Sequence, residues 1–423
     1  MKLLVSSFIY LIFSFAVKSQ TIADLNHRFS TYLNFKESLN HLVSFHQNAV
    51  SINNMGKAEF TFYENEINCL SHVFTNFKST ELINFYNWKK NKILTTKQID
   101  SLFNKIGSTH KNVSPSLKGK RIAIDAGHFA GNMEVAKIEQ KFIEFKPSLE
   151  NKLRDTIRFN EGFLTFQTAE LLKHQLEAQG AVVFMTRPQQ NYTSFQITYD
   201  DWILRKKKRT LDSLLKTGDI SYQRHATLMK LSSQKLFWEF FRDFELMERA
   251  RIINEFKPDV SIIIHYNVDE KNTDWKSPTS KNYTMAFIAG GITADNFSKT
   301  INKIHFLRLL ISNQINESER LSSLTVNQFN KLMNIKIAKK NDADYLRENC
   351  LNTPSVGVFC RNLALCRHIN STLVYGECLY QDNESECVKL STNDYELNNQ
   401  KIPKRIYEAA MSYYHAVNEF FSK

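Results

Sequence analysis

The chain has 423 residues, 42% of them hydrophobic and 23% charged, with only 12 Gly and 7 Pro. That composition excludes a collagen-like, low-complexity or disordered polymer and is ample for a large packed core in two or three domains. The formal net charge of +12 points to an anionic partner or simply a soluble surface.

The first nineteen residues read as a secretory signal. Lys2 supplies the basic start, Leu3 to Val17 the apolar stretch, and Val17-Lys18-Ser19 the small-residue cleavage site before Gln20. The apolar stretch is shorter than the roughly 20 residues a spanning helix needs, so no transmembrane segment is expected. The mature chain is expected to be exported, periplasmic or extracellular. In that setting its positive charge, about +10 once Lys2 and Lys18 are removed, fits anionic envelope polymers better than nucleic acid.

Residues 20–117 read as a helical N-terminal module. Ile22, Leu25, Phe29, Leu33, Leu39, Leu42 and Phe45 recur at three- and four-residue steps, and further helices are expected over about Glu64 to Trp88 and Thr96 to Ile106. Gly107 to Lys120, rich in Ser, Lys and Pro, reads as a linker. His27, His41, His46 and His72 in this part are expected to be surface or packing residues.

Residues 118–423 carry an alternating strand and helix rhythm. Arg121-Ile122-Ala123-Ile124-Asp125 is an apolar run leading into Ala126-Gly127-His128, the pattern of a buried strand that delivers a side chain to the sheet edge. An excursion over 129–160 follows, in which Val135 to Phe145 and Leu153 to Phe159 alternate like a hairpin. Glu161 then opens a helix striped by Phe163, Phe166, Ala169, Leu172 and Leu176 and stopped by Gly180. Ala181 to Thr186 is the next strand, giving the β-α-β order of a parallel sheet.

Residues 188–243 interrupt that rhythm as a polar, basic, helix-like insertion with aromatics at Trp202, Phe237, Trp238, Phe240 and Phe241. Its Lys206-Lys207-Lys208-Arg209 run is expected to be a solvated helix face. A helix from Glu245 to Phe256 and the strand Val260 to His265 resume the pattern, and Met285 to Ala289 is a further strand. Residues 293–350 form a second helical insertion or elaborated crossover. Arg361 to Cys366 and Leu373 to Gly376 are expected as the last strands, with Glu377 just past the second, and Pro403 to Phe421 as the closing helix. Together these elements predict an α/β fold, a mostly parallel twisted sheet with helices on both faces.

Two apolar strands that each end in His form a constellation, whereas one alone is usually a polar strand terminus. A hydrolytic zinc takes three protein ligands, often two His and a carboxylate, and keeps one position for water. A separate carboxylate must then move the proton. His128, Glu161 and His265 fit the first requirement and Glu377 the second. Glu134, Glu139 and Glu144 compete with Glu161, whose plain alternative is a helix-opening carboxylate favoured by the helix dipole. Glu384 and Glu386 compete with Glu377.

These blocks resemble the zinc-dependent N-acetylmuramoyl-L-alanine amidases over roughly 120–423. Ile122 to His128 is similar to the family's first strand and ligand His, Glu161 to its ligand Glu, and Val183-Phe184-Met185-Thr186-Arg187 to its second strand and Thr-Arg turn. Leu246 to Asn254, with Asp259 to Asn267, is similar to its Arg-bearing helix and second ligand strand. Leu373 to Glu377 is similar to its last strand and catalytic Glu. The resemblance implies one Zn2+ per chain held by His128, Glu161 and His265, with Glu377 as the catalytic group. It also implies a peptidoglycan or muropeptide substrate, and it leaves room for an activator protein that displaces an inserted helix, here 188–243. A zinc peptidase of related fold, or a silent wall-binding relative, are the competing readings.

Three departures stand out. Ala126 replaces the usual Pro, the Gly- and Asp-rich turn shrinks to Gly131-Asn132, and Tyr266 stands where a small residue is usual, placed to contact substrate or narrow the cleft. Of the six cysteines, Cys69 stands apart and Cys350, Cys360, Cys366, Cys378 and Cys387 crowd together. One or two disulfides are expected among those five, with the pairing left open and free buried thiols as the alternative.

Overall fold

The computed structural model describes residues 20–77, 79–106, 116–148, 153, 155–397 and 399–422. The expected signal at 1–19, and 107–115 of the expected linker, lie outside these residues. Among the described residues no helix is long and apolar enough to cross a membrane.

The N-terminal stretch is not helical throughout. Thr21 caps a short helix, Ile22–Arg28, by accepting from the Asp24 amide while Asp24 accepts in return. The chain then turns into an antiparallel sheet of β1 Val43–Phe45, β2 Ala49–Asn54 and β3 Lys57–Tyr63. The three- and four-residue spacing of Leu39, Leu42 and Phe45 suggested more helix. The competing signal is the period-2 burial of Phe60 and Phe62 behind a Met55-Gly56 turn with φ of 49° and 75°. Helices Ile67–Asn76, Ser79–Lys89 and Thr96–Ile106 follow where helices are expected.

This unit shares one apolar core with the rest of the chain. Phe29 meets Phe306 edge-on, and the Tyr32 hydroxyl donates to Glu319 at 2.5 Å. The amides of Gly291 and Ile292 donate to the Tyr32 and Leu33 carbonyls. Helix Thr300–Ile311, in the stretch read as an insertion, therefore forms a wall between the two parts.

The central sheet is assembled from β4 Arg121–Ala126, with β5 Phe142–Phe145 and β6 Ile157–Asn160 paired separately as a hairpin. It continues through β7 Val182–Met185, β8 Val260–Asn267, β9 Tyr283–Ile288, β10 Lys336–Ile337, β11 Leu351–Asn352, β12 Val358–Cys360 and β13 Thr372–Tyr380. Its order is β11-β12-β9-β13-β8-β4-β7, with β10 on β9. The run β13, β8, β4 and β7 is parallel, and β13 meets β9 antiparallel. The sheet is therefore mostly parallel, as the β-α-β rhythm predicts.

Side chains alternate between the two faces. On one face Tyr266 reaches Thr168 at 2.6 Å and Tyr413 donates to the Gly376 carbonyl, so helices Glu161–Ala178 and Lys404–Ser422 cover it, together with Gln314–Met333. Tyr266 thus points away from the ends of the two His-bearing strands, which corrects its expected place in the cleft. On the other face Asp125, Ile263, His265, Tyr375 and Glu377 share a side, and helix Arg242–Phe256 reaches it through Arg249.

Three further local expectations are corrected. Val135 to Glu139 is helical, within Met133–Glu139 and capped by Asn132, so the hairpin begins at Phe142. The strand expected at Arg361 to Cys366 lies earlier, at β12, and Ala364–His368 is a helical turn. Glu377 lies inside β13, which runs on to Tyr380 because β8 and β9 pair with it on both edges.

The 188–243 segment folds into short helices around Tyr199, Trp202, Phe237 and Phe241, which pack on Phe129, the residue after His128. Trp238 donates to the Ile138 carbonyl at 3.0 Å, so the segment buttresses the loop that follows β4. Lys206, Lys208 and Arg209 are exposed, as expected of a solvated face. All six cysteines are free and buried, so the expected disulfides are not formed.

Gly290 is a point of close approach. Its φ is +149°, and a Cβ there would stand 2.1 Å from the Tyr32 carbonyl oxygen and 2.8 Å from the Cys360 Cβ. Gly290→Ala should therefore cost about 2–3 kcal/mol, since neither backbone nor packed neighbour can yield cheaply. Gly218→Ala, with nothing within 4 Å of the added carbon, should cost only about 1 kcal/mol. Denaturant midpoints of the two variants check the difference, and equal midpoints would contradict it.

Candidate metal centre

β4 and β8 lie side by side and parallel, so the residues at their carboxyl ends converge. His128 leaves β4 with φ +56°, a left-handed turn that brings its ring toward β8. Gly127 makes this convergence sterically possible. A Cβ on it would stand 2.3 Å and 2.4 Å from two ring atoms of His265. Glu161 arrives as the first residue of its helix, capped by Asn160. The hairpin of β5 and β6 sets Phe142 opposite Asn160 and lets the Glu161 amide donate to the Lys141 carbonyl. One ligand atom from each of His128, Glu161 and His265 lies within 4.8 Å of the others.

Glu161 organises the cluster. Its Oε1 accepts from His265 Nδ1 at 2.9 Å and from the Tyr266 amide at 3.2 Å. Its Oε2 accepts from Gln381 at 3.1 Å and faces His128 Nε2 at 3.5 Å and Lys141 Nζ at 4.0 Å. Burial opposes ionisation of this carboxyl, but His128, Lys141 and His265 outweigh it and hold the group well below the usual carboxylate range. Burial lowers His128 in turn, against the pull of Glu161 and Glu139.

Glu139 is a second buried carboxylate at the site. It accepts from the Phe129 amide, from the Ala130 amide at 2.9 Å, and contacts His128 Nδ1 at 3.3 Å. Burial raises it, but the His128 hydrogen bond and charge carry it below its ordinary value. A carboxylate at Nδ1 sets the tautomer and leaves Nε2 free to face Glu161. Sequence reasoning treated Glu139 as a rival ligand. Its partnership with His128 has no periodic signal, because it depends on the 129–132 loop turning the helix Met133–Glu139 back so that Glu139 meets the Phe129 and Ala130 amides. Glu134 is exposed on that helix.

Glu377 stands beside His265 in strand register and on the same face. It is buried, and its Oε2 has no hydrogen-bond partner among the described residues. Burial pushes it up to about 7, with His265 pulling it down and Glu161 pushing it up. A carboxyl poised near neutrality is suited to accepting and returning a proton. Tyr375, two residues earlier, stacks on the His265 ring at 4.5 Å and 5°. The rival Glu386 is instead tied to Arg405 at 2.7 Å.

Beneath the centre lies a buried charge network. Arg249 pairs with Asp125 at 3.3 Å and Glu245 at 2.7 Å, and donates to the Ala126 carbonyl at 2.9 Å. Arg187 donates to the same carbonyl, and Thr186 to Asp125. The Thr-Arg turn and the Arg-bearing helix thus clamp the end of β4.

A profile of the N-acetylmuramoyl-L-alanine amidase family matches residues 122–411. No curated protein sequence matches the chain. Among solved structures, the CwlD amidase from Clostridioides difficile, in complex with the GerS lipoprotein, is similar at 14% identity and a TM-score of 0.37, covering 72% of this chain and 99% of its own. The amidase Ami1 from Mycobacterium smegmatis is similar at 12% identity and a TM-score of 0.40, covering 72% and 98%. The catalytic domain of CwlV from Bacillus (Paenibacillus) polymyxa var. colistinus is similar at 12% identity and a TM-score of 0.35, covering 71% and 97%.

The raised Glu377 has a measurable cost. Its folded value, about 7 against an ordinary 4.5, means that stability is full below the lower value and lost as pH rises through the upper one. Glu377→Gln cannot ionise and escapes that loss. The metal-free variant should exceed metal-free wild type by about 2–3 kcal/mol near pH 8, with the gap closing toward about pH 5. Chemical denaturation at the two pH values checks it, and a gap that did not change with pH would contradict it.

Proposed function

Because the chain belongs to the N-acetylmuramoyl-L-alanine amidase family, we propose that it is an exported zinc hydrolase acting on peptidoglycan or muropeptides. The bond cleaved is the amide between the lactyl group of N-acetylmuramic acid and the L-alanine of the stem peptide. One observation carries this reading: two imidazoles and a buried carboxylate converge, and an unpartnered buried carboxyl stands directly beside one of the imidazoles.

The donor set fits the metal. Two ring nitrogens and one carboxylate oxygen are the ligands of many hydrolytic zinc sites, and Glu161 is held in the anionic form such a ligand requires. His128, Glu161 and His265 would hold the ion. Zinc bound there supplies Lewis acidity toward a carbonyl oxygen and toward water.

The protein's own groups account for the rest. Glu377 receives the proton of the attacking water on its free oxygen and returns it to the departing L-alanine nitrogen. Its position in register with His265 keeps the transfer short. Tyr375 holds the His265 ring in plane, and Glu139 fixes the tautomer of His128. The basic start and apolar stretch before Gln20 support export to the envelope, where the substrate lies.

Glu377→Ala should retain about one equivalent of zinc and lose roughly 100-fold or more in muropeptide hydrolysis, the usual contribution of a proton-transfer group. The wild-type products should be the sugar part and an intact peptide. Full activity in Glu377→Ala would remove the assigned role, and shortened peptides would identify a peptidase in place of an amidase.

A further inference from the structure

An aromatic strip crosses the site face of the sheet from the metal centre toward its far edge. The His265 ring on β8 stacks on Tyr375 of β13 at 4.5 Å, and Tyr375 meets Phe287 of β9 at 6.1 Å. Arg361, just past β12, lies over the Phe287 ring at 5.1 Å and the Tyr345 ring at 5.0 Å. The strip therefore runs over three neighbouring strands and ends on a cation.

That cation is unspent. The buried Arg249 and Arg405 each pair with a carboxylate, and Arg308 donates to backbone carbonyls. The Arg361 side chain is half-buried, and among the described residues it has ring faces but neither a carboxylate nor a hydrogen-bond acceptor. A guanidinium presents a planar fork of N–H donors that matches a carboxylate. Lys141, another cation near the centre, already faces Glu161 at 4.0 Å.

The spacing suits a peptide. Neighbouring strands lie about 4.8 Å apart, so two strands separate His265 from Phe287 by about 10 Å. An extended peptide advances about 3.3–3.6 Å per residue. Two residues therefore cover about 7 Å, and the carboxylate on the second residue together with the Arg361 side-chain arm spans the rest when the peptide lies along the strip.

We propose that Arg361 is a specificity-determining residue that binds a free carboxylate on the second residue of the stem peptide, with the half-buried Tyr375 ring beneath the chain and the fully buried Phe287 ring seating the guanidinium from below. The proposal rests on the amidase reading above. It makes the enzyme discriminate between peptides whose second residue carries a free α-carboxylate and those in which that group is a carboxamide. A carboxamide presents one acceptor oxygen and no charge to the fork, so it forfeits the paired bonds.

The test compares the zinc-loaded full chain on two muropeptides that differ only in that group. Wild type should favour the carboxylate by about 10-fold or more in kcat/KM, the usual scale of a charge-assisted pair. Arg361→Met should lose that preference through KM on the carboxylate, the ratio of the two kcat/KM values falling to about 1, and Arg361→Lys should recover part of it. Zinc content and thermal midpoint, expected to match wild type, separate loss of recognition from loss of fold. Equal wild-type rates on both substrates, or an equal drop on both in Arg361→Met and Arg361→Lys, would overturn the assignment while leaving the amidase reading intact. A wild-type enzyme that cleaved neither would overturn both.

Discussion

The Glu161 carboxylate, buried between two imidazoles, is the interaction on which the rest of the site depends. An isolated carboxylate in such a place would be neutralised by protonation. Here it stays ionised because His128, His265 and Lys141 face it and because Gln381 and the Tyr266 amide fill its remaining lone pairs. Each partner comes from a different segment, so the fold must bring distant chain together to satisfy a single charge. The centre is a consequence of that requirement, and Glu377 on the next strand, raised chiefly by burial, feels the same negative charge.

The chain supports this arrangement with a second layer of buried charge. Asp125, Arg249 and Glu245 fix the end of β4, and Arg187 adds a donor to the Ala126 carbonyl. Buried ion pairs are weak sources of net stability, but removing one partner leaves the other uncompensated. Their effect here is to hold Gly127 and His128 in one geometry. The 188–243 helices do related work from outside, packing Tyr199, Phe237 and Phe241 against Phe129 and holding the loop beyond His128. The N-terminal unit acts farther away, sealing the sheet's periphery through Gly290, Gly291 and the helix Thr300–Ile311.

Much of this was legible in the sequence because it rests on local patterns. The apolar runs of β4 and β8, each closing on a His, and the Asn160-Glu161 helix start follow from periodicity and capping. The 33 positions between His128 and Glu161 are bridged by the β5–β6 hairpin, which folds the excursion back on itself. What escaped sequence reasoning depended on contacts without a local signature. Glu139 reaches His128 only because the loop after His128 turns the helix Met133–Glu139 back onto it, and Arg361 meets Phe287 and Tyr345 only in the folded chain. Glu377 was placed just beyond its strand because the pairing with β8, which carries β13 on to Tyr380, cannot be read from one strand alone. The β1–β3 sheet is different: its Met55-Gly56 turn and the alternating Phe60 and Phe62 were available, but the three- and four-residue spacing upstream masked them.

X-ray absorption at the zinc edge of the zinc-loaded chain tests the central claim most directly. The account predicts a shell of nitrogen and oxygen near 2.0–2.1 Å, with the outer-shell scattering of two imidazoles from His128 and His265. A sulfur shell near 2.3 Å, which would draw the ion to the free cysteines, or scattering from fewer than two imidazoles, would contradict it.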